Sequence, residues 1–243
     1  MILVKFNSVF DIIGPVMIGP SSSHTAGASR IGAIARAVFN EQPSQVDIHL
    51  YGSFAKTYKG HGTDVALIGG LLGFEPDDPR MKESPKLAEE WGMRIQFIEE
   101  VEEPPHPNTV KLVLKHGMQQ MTLIGASIGG GKVEIIRLNE FELEFTGTAP
   151  AILILHQDKF GAIAAVSSVI ADHKINIGQM KVSRKVKGDE ALMVIEVDQQ
   201  VEQALISKIA ELSGDLSSSK CHDFSSFLVN RWLSLDLCKA KCA

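Results

Sequence analysis

The feature that most constrains the fold is a regular alternation of apolar segments after Pro150. Short β-favouring runs alternate with segments whose apolar residues recur at helical spacing. A Lys187-Gly188-Asp189 turn separates the two middle strand-like segments, as in a β-hairpin. The pattern predicts strand, helix, strand, strand and helix at Ala151–His156, Gly161–His173, Ile175–Lys185, Ala191–Asp198 and Val201–Leu212. This order is that of a ferredoxin-like βαββαβ domain without its last strand.

The first 146 residues mix helical and strand patterns. Helices are predicted at Ala26–Phe39 and Thr63–Leu72, and strands at Gln45–Tyr51, Lys111–Lys115, Met121–Ala126 and Val133–Leu138. Proline-rich, charged segments at Glu75–Pro85 and Glu102–Asn108 predict loops. We therefore expect an α+β protein with domains at 1–146 and 150–212, followed by a divergent tail at 213–243.

Composition narrows the class of protein. Hydrophobic residues make up 44% and charged residues 22%, which excludes wholesale disorder. The net charge of −5 offers no basic surface to a nucleic acid. No apolar run reaches the roughly 18 residues that a membrane span needs. Because Met1–Phe10 lacks the long apolar core of a signal peptide, we expect a cytoplasmic protein.

The cysteines are confined to the end of the chain. Cys221, Cys238 and Cys242 are the only three, so none precedes position 221. A secreted disulfide scaffold would distribute its cysteines through the fold, and that class is disfavoured. The alternative is that the three cysteines ligate a metal or cluster. However, Cys238 and Cys242 are spaced as Cys-x-x-x-Cys, and the chain contains no paired Cys-x-x-Cys motif. We therefore assign no metal ligand to this chain.

The densest polar motif runs from Gly19 to Gly27, immediately before a predicted helix. It contains three serines, a histidine and a threonine: Ser21, Ser22, Ser23, His24 and Thr25. Free N–H groups at a helix start favour an anion, and hydroxyls add donors, so this turn suits a carboxylate or phosphate. His24 could donate or accept a proton. An ordinary N-cap is the alternative interpretation.

A second motif, Gly60-His61-Gly62-Thr63-Asp64, also leads from a loop into a predicted helix. Its glycines would let the backbone approach a ligand closely, and Asp64 could orient the His61 imidazole. The alternative is a glycine turn with a surface histidine that has no chemical role.

Two weaker motifs lie further along the chain. His106-Pro107-Asn108-Thr109 places an imidazole, an amide and a hydroxyl on one stiffened loop, or is simply a proline turn before a strand. Ala126–Gly131 is glycine-rich, but it lacks the Walker lysine spacing and a following helix. A tight hairpin is the better interpretation of that segment.

Taken together, the motifs resemble a known enzyme family. Phe10–Gly32, Tyr51–Gly73, the HPNT motif and the SIGGG motif closely resemble the β chain of bacterial iron–sulfur-dependent L-serine dehydratases. The resemblance extends from about Phe6 to Leu212. It implies that the first domain is similar to the allosteric-substrate-binding domain of some phosphoglycerate dehydrogenases. It implies that the second is an ACT domain, in agreement with the predicted β-α-β-β-α order.

The resemblance also implies a reaction and a partner. In this family L-serine loses water by α,β-elimination, and the enamine product hydrolyses to pyruvate and ammonia. A [4Fe–4S] cluster, ligated by an α chain, holds the serine hydroxyl as a Lewis acid. This chain would thus need an L-serine dehydratase α chain as partner, and an ACT-mediated homodimer is a further expectation.

The resemblance also implies roles for the residues of the matching motifs. It places His61 and His24 at the catalytic site as general base and second acid/base group, and leaves open which is which. Substrate-binding residues would be Ser21, Ser22, Ser23, Thr25, Gly62, Thr63, Asp64 and Asn108, with Asp64 also holding His61. A different class of function stays open: a non-catalytic regulatory subunit that binds serine as an effector at the same hydroxyl-rich turn.

Overall fold

A computed structural model describes residues 16–216, with side chains described through Leu212. The chain divides into two compact units between Asn139 and Glu140. Of the predicted tail at 213–243, residues 217–243, including all three cysteines, lie outside the described residues. Helix α6, described below, continues to Leu216, past its predicted end at Leu212.

The first unit combines a sheet with four helices. Its strands are β1 (Gln45–Leu50), β2 (Arg94–Glu99), β3 (Thr109–His116), β4 (Gln119–Gly129) and β5 (Lys132–Leu138). Its helices are α1 (Ala28–Phe39), α2 (Gly52–His61), α3 (Thr63–Leu71) and α4 (Ser84–Glu90). The strand order is β2-β1-β3-β4-β5, with β1 and β2 parallel and the other neighbours antiparallel. The side chains of β1 alternate between buried and half-buried, which matches its predicted half-buried pattern.

Helices α1 and α3 pack backbone against backbone. A Cβ atom built on Gly32 would lie 2.4 Å from the carbonyl oxygen of Leu67, and one on Gly70 would lie 2.0 Å from that of Ser29. Side chains at these two positions would therefore separate the helices. These glycines join the first turns of α1 to the last turns of α3, and each helix directly follows one of the two predicted catalytic motifs.

The described first unit contains elements that the sequence patterns did not predict. The predicted helix from Ala26 is preceded by a π-helical turn, Ser22–Gly27. Helix α2 was missed because its polar sequence has a single buried residue, Phe54. The edge strand β2 and helix α4 were also missed, and the predicted loop at Glu75–Pro85 contains a 3₁₀ turn, Pro79–Glu83.

The second unit contains strands β6 (Phe141–Phe145), β7 (Ala151–Gln157), β8 (Ile177–Arg184) and β9 (Glu190–Val197), and helices α5 (Ala162–Asp172) and α6 (Gln203–Leu216). From β7 onward, it confirms the predicted β-α-β-β-α order of elements, and its first strand, β6, was not predicted. Strands β7, β9 and β8 form an antiparallel sheet in that order. The two helices and this sheet enclose one apolar core, to which Ile154, Val166, Met193 and Leu205 contribute. Within residues 16–216, no helix has both the length and the apolarity to cross a membrane.

The helix contact predicts the outcome of one substitution. Gly70→Ala should lower the free energy of unfolding by about 1–3 kcal/mol, because its methyl group would meet backbone atoms of α1 that cannot rotate away. Gly60→Ala is the matched control, since no heavy atom lies within 4 Å of its added Cβ. Urea unfolding should show the control unchanged or slightly stabilised. Equal stability of both variants would contradict the close α1–α3 contact.

Candidate active site

The hydroxyl-rich motif forms the π-helical turn that precedes α1. Ser21 is its N-cap, and the Ser21 Oγ accepts a hydrogen bond from the His24 backbone N–H at 3.4 Å. The backbone N–H of Thr25 donates to the Ser21 carbonyl at 2.8 Å. The N-cap interpretation is therefore correct for Ser21, and the same turn also presents the half-buried side chains of Ser22, Ser23 and His24.

The second motif lies at the junction between α2 and α3. Gly62 has φ of 69°, a left-handed conformation that glycine adopts without strain, and it separates the two helices. His61 is the last residue of α2 and is exposed, whereas Thr63 is the first residue of α3 and is fully buried. The junction therefore turns the imidazole outward and the threonine inward.

The imidazole rings of His24 and His61 are in contact. Their ring centroids are 4.8 Å apart and their planes are at 88°, an edge-to-face arrangement. The His24 ring also packs edge-to-face on Phe54 at 5.2 Å. Burial, and then the charge of His61, lower the pKa of His24 below its usual value. Near neutral pH, His24 is thus held in its neutral form beside an exposed imidazole.

The environments of the two imidazoles differ in their hydrogen bonds. The His24 Nδ1 lies 3.4 Å from the Ser21 Oγ, and the His24 Nε2 lies 3.2 Å from the Ser53 Oγ. Among the described residues, no hydrogen bond involves the His61 ring nitrogens. His61 is therefore the imidazole that is free to meet a substrate, while both His24 nitrogens are engaged.

The predicted hydroxyl ligands separate into two groups. Ser21, Ser22 and Ser23 are half-buried on the turn. Thr25 and Thr63 are buried, and within the described part of the chain their hydroxyls find no hydrogen-bond partner. A buried, unpaired hydroxyl costs about 1–3 kcal/mol. The structure thus places Thr25 and Thr63 at the site but not on its surface.

Asp64 does not hold His61. Its carboxylate instead accepts a hydrogen bond at 2.9 Å from the Val65 N–H, which belongs to the first turn of its own helix. Burial raises the pKa of Asp64, against the lowering effect of these backbone N–H groups and of Lys59. The predicted link was wrong because the left-handed Gly62 ends α2, and the free N–H groups of α3 then bind the carboxylate.

The HPNT loop leads into β3 and contacts both α2 and β4. The Asn108 carbonyl accepts from the Ser127 N–H at 3.0 Å, and the Asn108 Nδ2 donates to the Ser127 carbonyl at 3.4 Å. The His106 Nδ1 accepts from the Asn108 N–H at 3.1 Å. Burial lowers the pKa of His106 below its usual value, and the opposing charge of Glu134 offsets this only in part. Asn108 is thus tied to the β4 strand, with a half-buried side chain.

The glycine-rich segment is a hairpin, as expected on local grounds. Gly129, Gly130 and Gly131 all have positive φ and connect β4 to β5. Ser127, just before the bend, is fully buried, and a Cβ on Gly27 would lie 2.1 Å from its hydroxyl oxygen. Strand β4 therefore packs directly under the π-helical turn.

Sequence reasoning missed Ser53 and Phe54, which both contact His24. They lie in α2, whose start carries no capping signal and little apolar periodicity. The one available signal was their place inside the family-like segment Tyr51–Gly73.

The described residues do not fit an iron–sulfur cluster. Such clusters are held chiefly by cysteine thiolates, and the chain's three cysteines all lie beyond Leu216. Within residues 16–216, no group of three or more His, Cys, Asp or Glu side chains is arranged to hold a metal ion.

The fold and the paired motifs define a two-part α+β protein with a C-terminal ACT domain. Residues 8–96 match the family described as "Serine dehydratase beta chain", and residues 151–214 match the ACT domain. The chain is 52% identical over 220 residues, 90% of its length, to the whole (100%) of the "Probable L-serine dehydratase, beta chain" of Bacillus subtilis. It is 40% identical over 204 residues to the "L-serine dehydratase, beta chain" of Peptoniphilus asaccharolyticus, covering 83% of this chain and 92% of that protein.

These similarities show that the chain belongs to the L-serine dehydratase β-chain family. More distant similarity extends to another enzyme. Over 198 residues, 81% of this chain, it is 27% identical to part (37%) of the D-3-phosphoglycerate dehydrogenase of Bacillus subtilis.

The contact between the histidines predicts a titration. His61→Gln should raise the pKa of His24, because it removes the charge that opposes His24 protonation, yet burial should keep that pKa below the usual value. Histidine Cε1–H resonances followed by NMR from pH 4.5 to 8.5 would measure it. The control is His116→Gln, an exposed histidine at the end of β3. An identical His24 midpoint in all three proteins would contradict the contact.

Because the Thr63 hydroxyl is buried and unpaired, its removal should not lower the stability of the chain. Thr63→Val should leave the melting temperature of the chain unchanged or raise it, since the nearly isosteric valine removes a desolvated hydroxyl. Thr63→Ser keeps the hydroxyl, loses a buried methyl group and should be less stable. Calorimetry of the two variants decides the matter. A loss of more than about 1 kcal/mol in Thr63→Val would mean that the hydroxyl has a stabilising partner.

Proposed function

We propose that this chain is the β subunit of a cytoplasmic L-serine dehydratase, which converts L-serine to pyruvate and ammonia together with an α chain. Membership of the β-chain family supports the activity and implies the partner. The observation that carries the catalytic role is the contact between His24 and His61, which unites the two most distinctive motifs of the sequence.

His61 is the general base of the proposed reaction. The elimination needs a group that takes the Cα proton of serine near neutral pH, and imidazole suits this step. His61 is exposed and its ring nitrogens make no hydrogen bond among the described residues, which supports its access to substrate. The Cα electron pair then forms the C=C bond as the C–O bond breaks, and the departing hydroxide leaves as water with a proton that balances the one taken from Cα. The resulting aminoacrylate tautomerises to an imine, which water hydrolyses to pyruvate and ammonia.

His24 is the second imidazole of the pair. Its lowered pKa keeps it neutral, so it does not repel the positive charge that His61 acquires with the proton. The accessible serines of the turn, Ser21, Ser22 and Ser23, bind the substrate carboxylate together with the free N–H groups of the helix start. Thr25, Gly62, Thr63, Asp64 and Asn108 complete the predicted binding set.

The [4Fe–4S] cluster of the proposed enzyme belongs to the α chain. The late position of all cysteines and the absence of a metal-holding group within residues 16–216 support this assignment. Co-expression with an α chain should yield a complex whose iron and sulfide content is unchanged when Cys221, Cys238 and Cys242 are replaced by serine. Loss of iron from that complex would overturn the assignment.

The histidine pair predicts the kinetics of two variants. In the assembled αβ enzyme, His61→Ala should lower kcat by about 100-fold or more, the typical contribution of a general base. His24→Ala should lower kcat less, because it removes a neighbour of the base. Steady-state rates of pyruvate formation from L-serine measure both effects, and the iron content of each complex shows whether the cluster is intact.

Lys56→Gln provides the control for these rates, since Lys56 is exposed on α2 and is not one of the predicted site residues. Near-wild-type turnover in both histidine variants would contradict the catalytic role proposed for the two imidazoles.

A second candidate function is a regulatory subunit that binds serine without catalysing its dehydration. The observation favouring it is the similarity of both units to part of a D-3-phosphoglycerate dehydrogenase, an enzyme with a different reaction. The second unit also has a surface cavity of about 440 Å³ beside Asn176.

Calorimetric titration of the β chain alone with L-serine separates the two functions. Binding to the isolated chain that is insensitive to iron chelation would favour regulation. Binding only in the αβ complex would favour a shared active site.

A further inference from the structure

We infer that Ser53 is a positioning residue, which accepts a hydrogen bond from the His24 Nε2–H and so holds that imidazole in one tautomer and one orientation against His61. The consequence for turnover rests on the proposed function, whereas the hydrogen bond rests on the geometry of this chain alone.

The hydrogen bond joins two parts of the sequence. The Ser53 Oγ lies 3.2 Å from the His24 Nε2, across 29 positions in the chain. The other ring nitrogen, Nδ1, lies 3.4 Å from the Ser21 Oγ. Two hydroxyls therefore hold the imidazole from opposite sides, one from the π-helical turn and one from α2.

The hydrogen-bond inventory of Ser21 is compatible with the inferred tautomer. The Ser21 Oγ accepts the His24 backbone N–H at 3.4 Å and keeps its hydroxyl proton, which in the inferred tautomer it donates to the His24 Nδ1. The Nδ1 of a neutral imidazole that accepts this proton carries none itself. In that tautomer the ring proton is on Nε2, and the Ser53 Oγ is its acceptor.

Ser53 is itself fixed by its backbone. Its N–H donates to the Pro107 carbonyl at 2.7 Å, and its carbonyl accepts from the Thr57 Oγ1 at 2.8 Å. The preceding Gly52 has φ of 55°, and a Cβ there would lie 2.7 Å from the Pro107 oxygen. The start of α2 is thus pressed against the HPNT loop, and this loop sets the position of the hydroxyl that meets His24.

The orientation matters because His24 has only one face toward His61. The titratable side chain in contact with His24 is His61, and the other contacts on its ring, from Ser21, Ser53 and Phe54, carry no charge. Without the Ser53 hydroxyl, Nε2–H loses its acceptor and the ring is free to rotate about its χ angles. The edge-to-face contact with His61 is then no longer maintained.

The test replaces Ser53 by alanine and by threonine. In the ¹⁵N-labelled full-length β chain, long-range ¹H–¹⁵N spectra report the tautomer of each histidine, and His24→Asn assigns the His24 signals. We expect a pure Nε2–H pattern in the wild type and averaged nitrogen shifts in Ser53→Ala. Ser53→Thr keeps a hydroxyl at the same place and should restore the wild-type pattern.

The kinetic arm uses the assembled αβ enzyme. Ser53→Ala should lower kcat by about 3- to 10-fold, the equivalent of one hydrogen bond, with the KM for L-serine unchanged within about twofold. Ser53→Thr should recover most of the rate. Lys56→Gln, at an exposed position of α2, is the matched control and should keep both the rate and the His24 spectrum.

Each arm can fail separately. An unchanged His24 pattern in Ser53→Ala overturns the inference, whatever the enzyme's rate. Equal losses of kcat in Ser53→Ala and Lys56→Gln, without rescue by threonine, also overturn it, since they would indicate a merely structural role. If the wild-type complex forms no pyruvate, the proposed function fails, and the NMR arm still decides the hydrogen bond.

Discussion

Helices α1 and α3 touch through their backbones, and each helix directly follows one of the two histidine motifs. Gly32 and Gly70 leave no side chain between the helices, and the carbonyl oxygens of Leu67 and Ser29 occupy the space. This contact joins the first turns of α1 to the last turns of α3, whereas His24 contacts three residues of α2: Ser53, Phe54 and His61. Strand β4 supports the turn from below, where Gly27 meets the Ser127 hydroxyl. Small residues in the core thus place the turn and the helices that bear the polar residues of the site.

Much of the fold could be predicted from the sequence, because most of its elements bury an apolar face with a clear period. The β-α-β-β-α order of the second unit and the strands β1, β3, β4 and β5 followed from such periods. Helix α2 and strand β2 could not be found this way. In α2 only Phe54 is buried, and β2 is an edge strand without a fully buried residue. Their places are set by neighbours that are distant in sequence.

The candidate site, like the fold, could be predicted from the sequence only in part. The residue types of both motifs indicated imidazole and hydroxyl chemistry, since they stand beside helix starts whose N–H groups are free. Local sequence could not reveal the contact between His24 and His61, because it depends on how α2 packs against the π-helical turn. It also suggested the wrong partner for Asp64: the carboxylate binds the nearest free N–H group, that of Val65, rather than the imidazole. Ser53 carried no local signal, since a serine near a helix start is common.

Unequal surroundings give the two imidazoles different chemistry. His24 is partly desolvated, lies against Phe54 and has both nitrogens engaged, and its pKa is lowered. His61 is exposed at the end of α2, and among the described residues its nitrogens are unengaged. Two titratable groups whose environments differ in this way can divide the roles of a proton acceptor and a neutral neighbour. In the proposed reaction, Ser53 then acts through the ring that it holds rather than through the substrate.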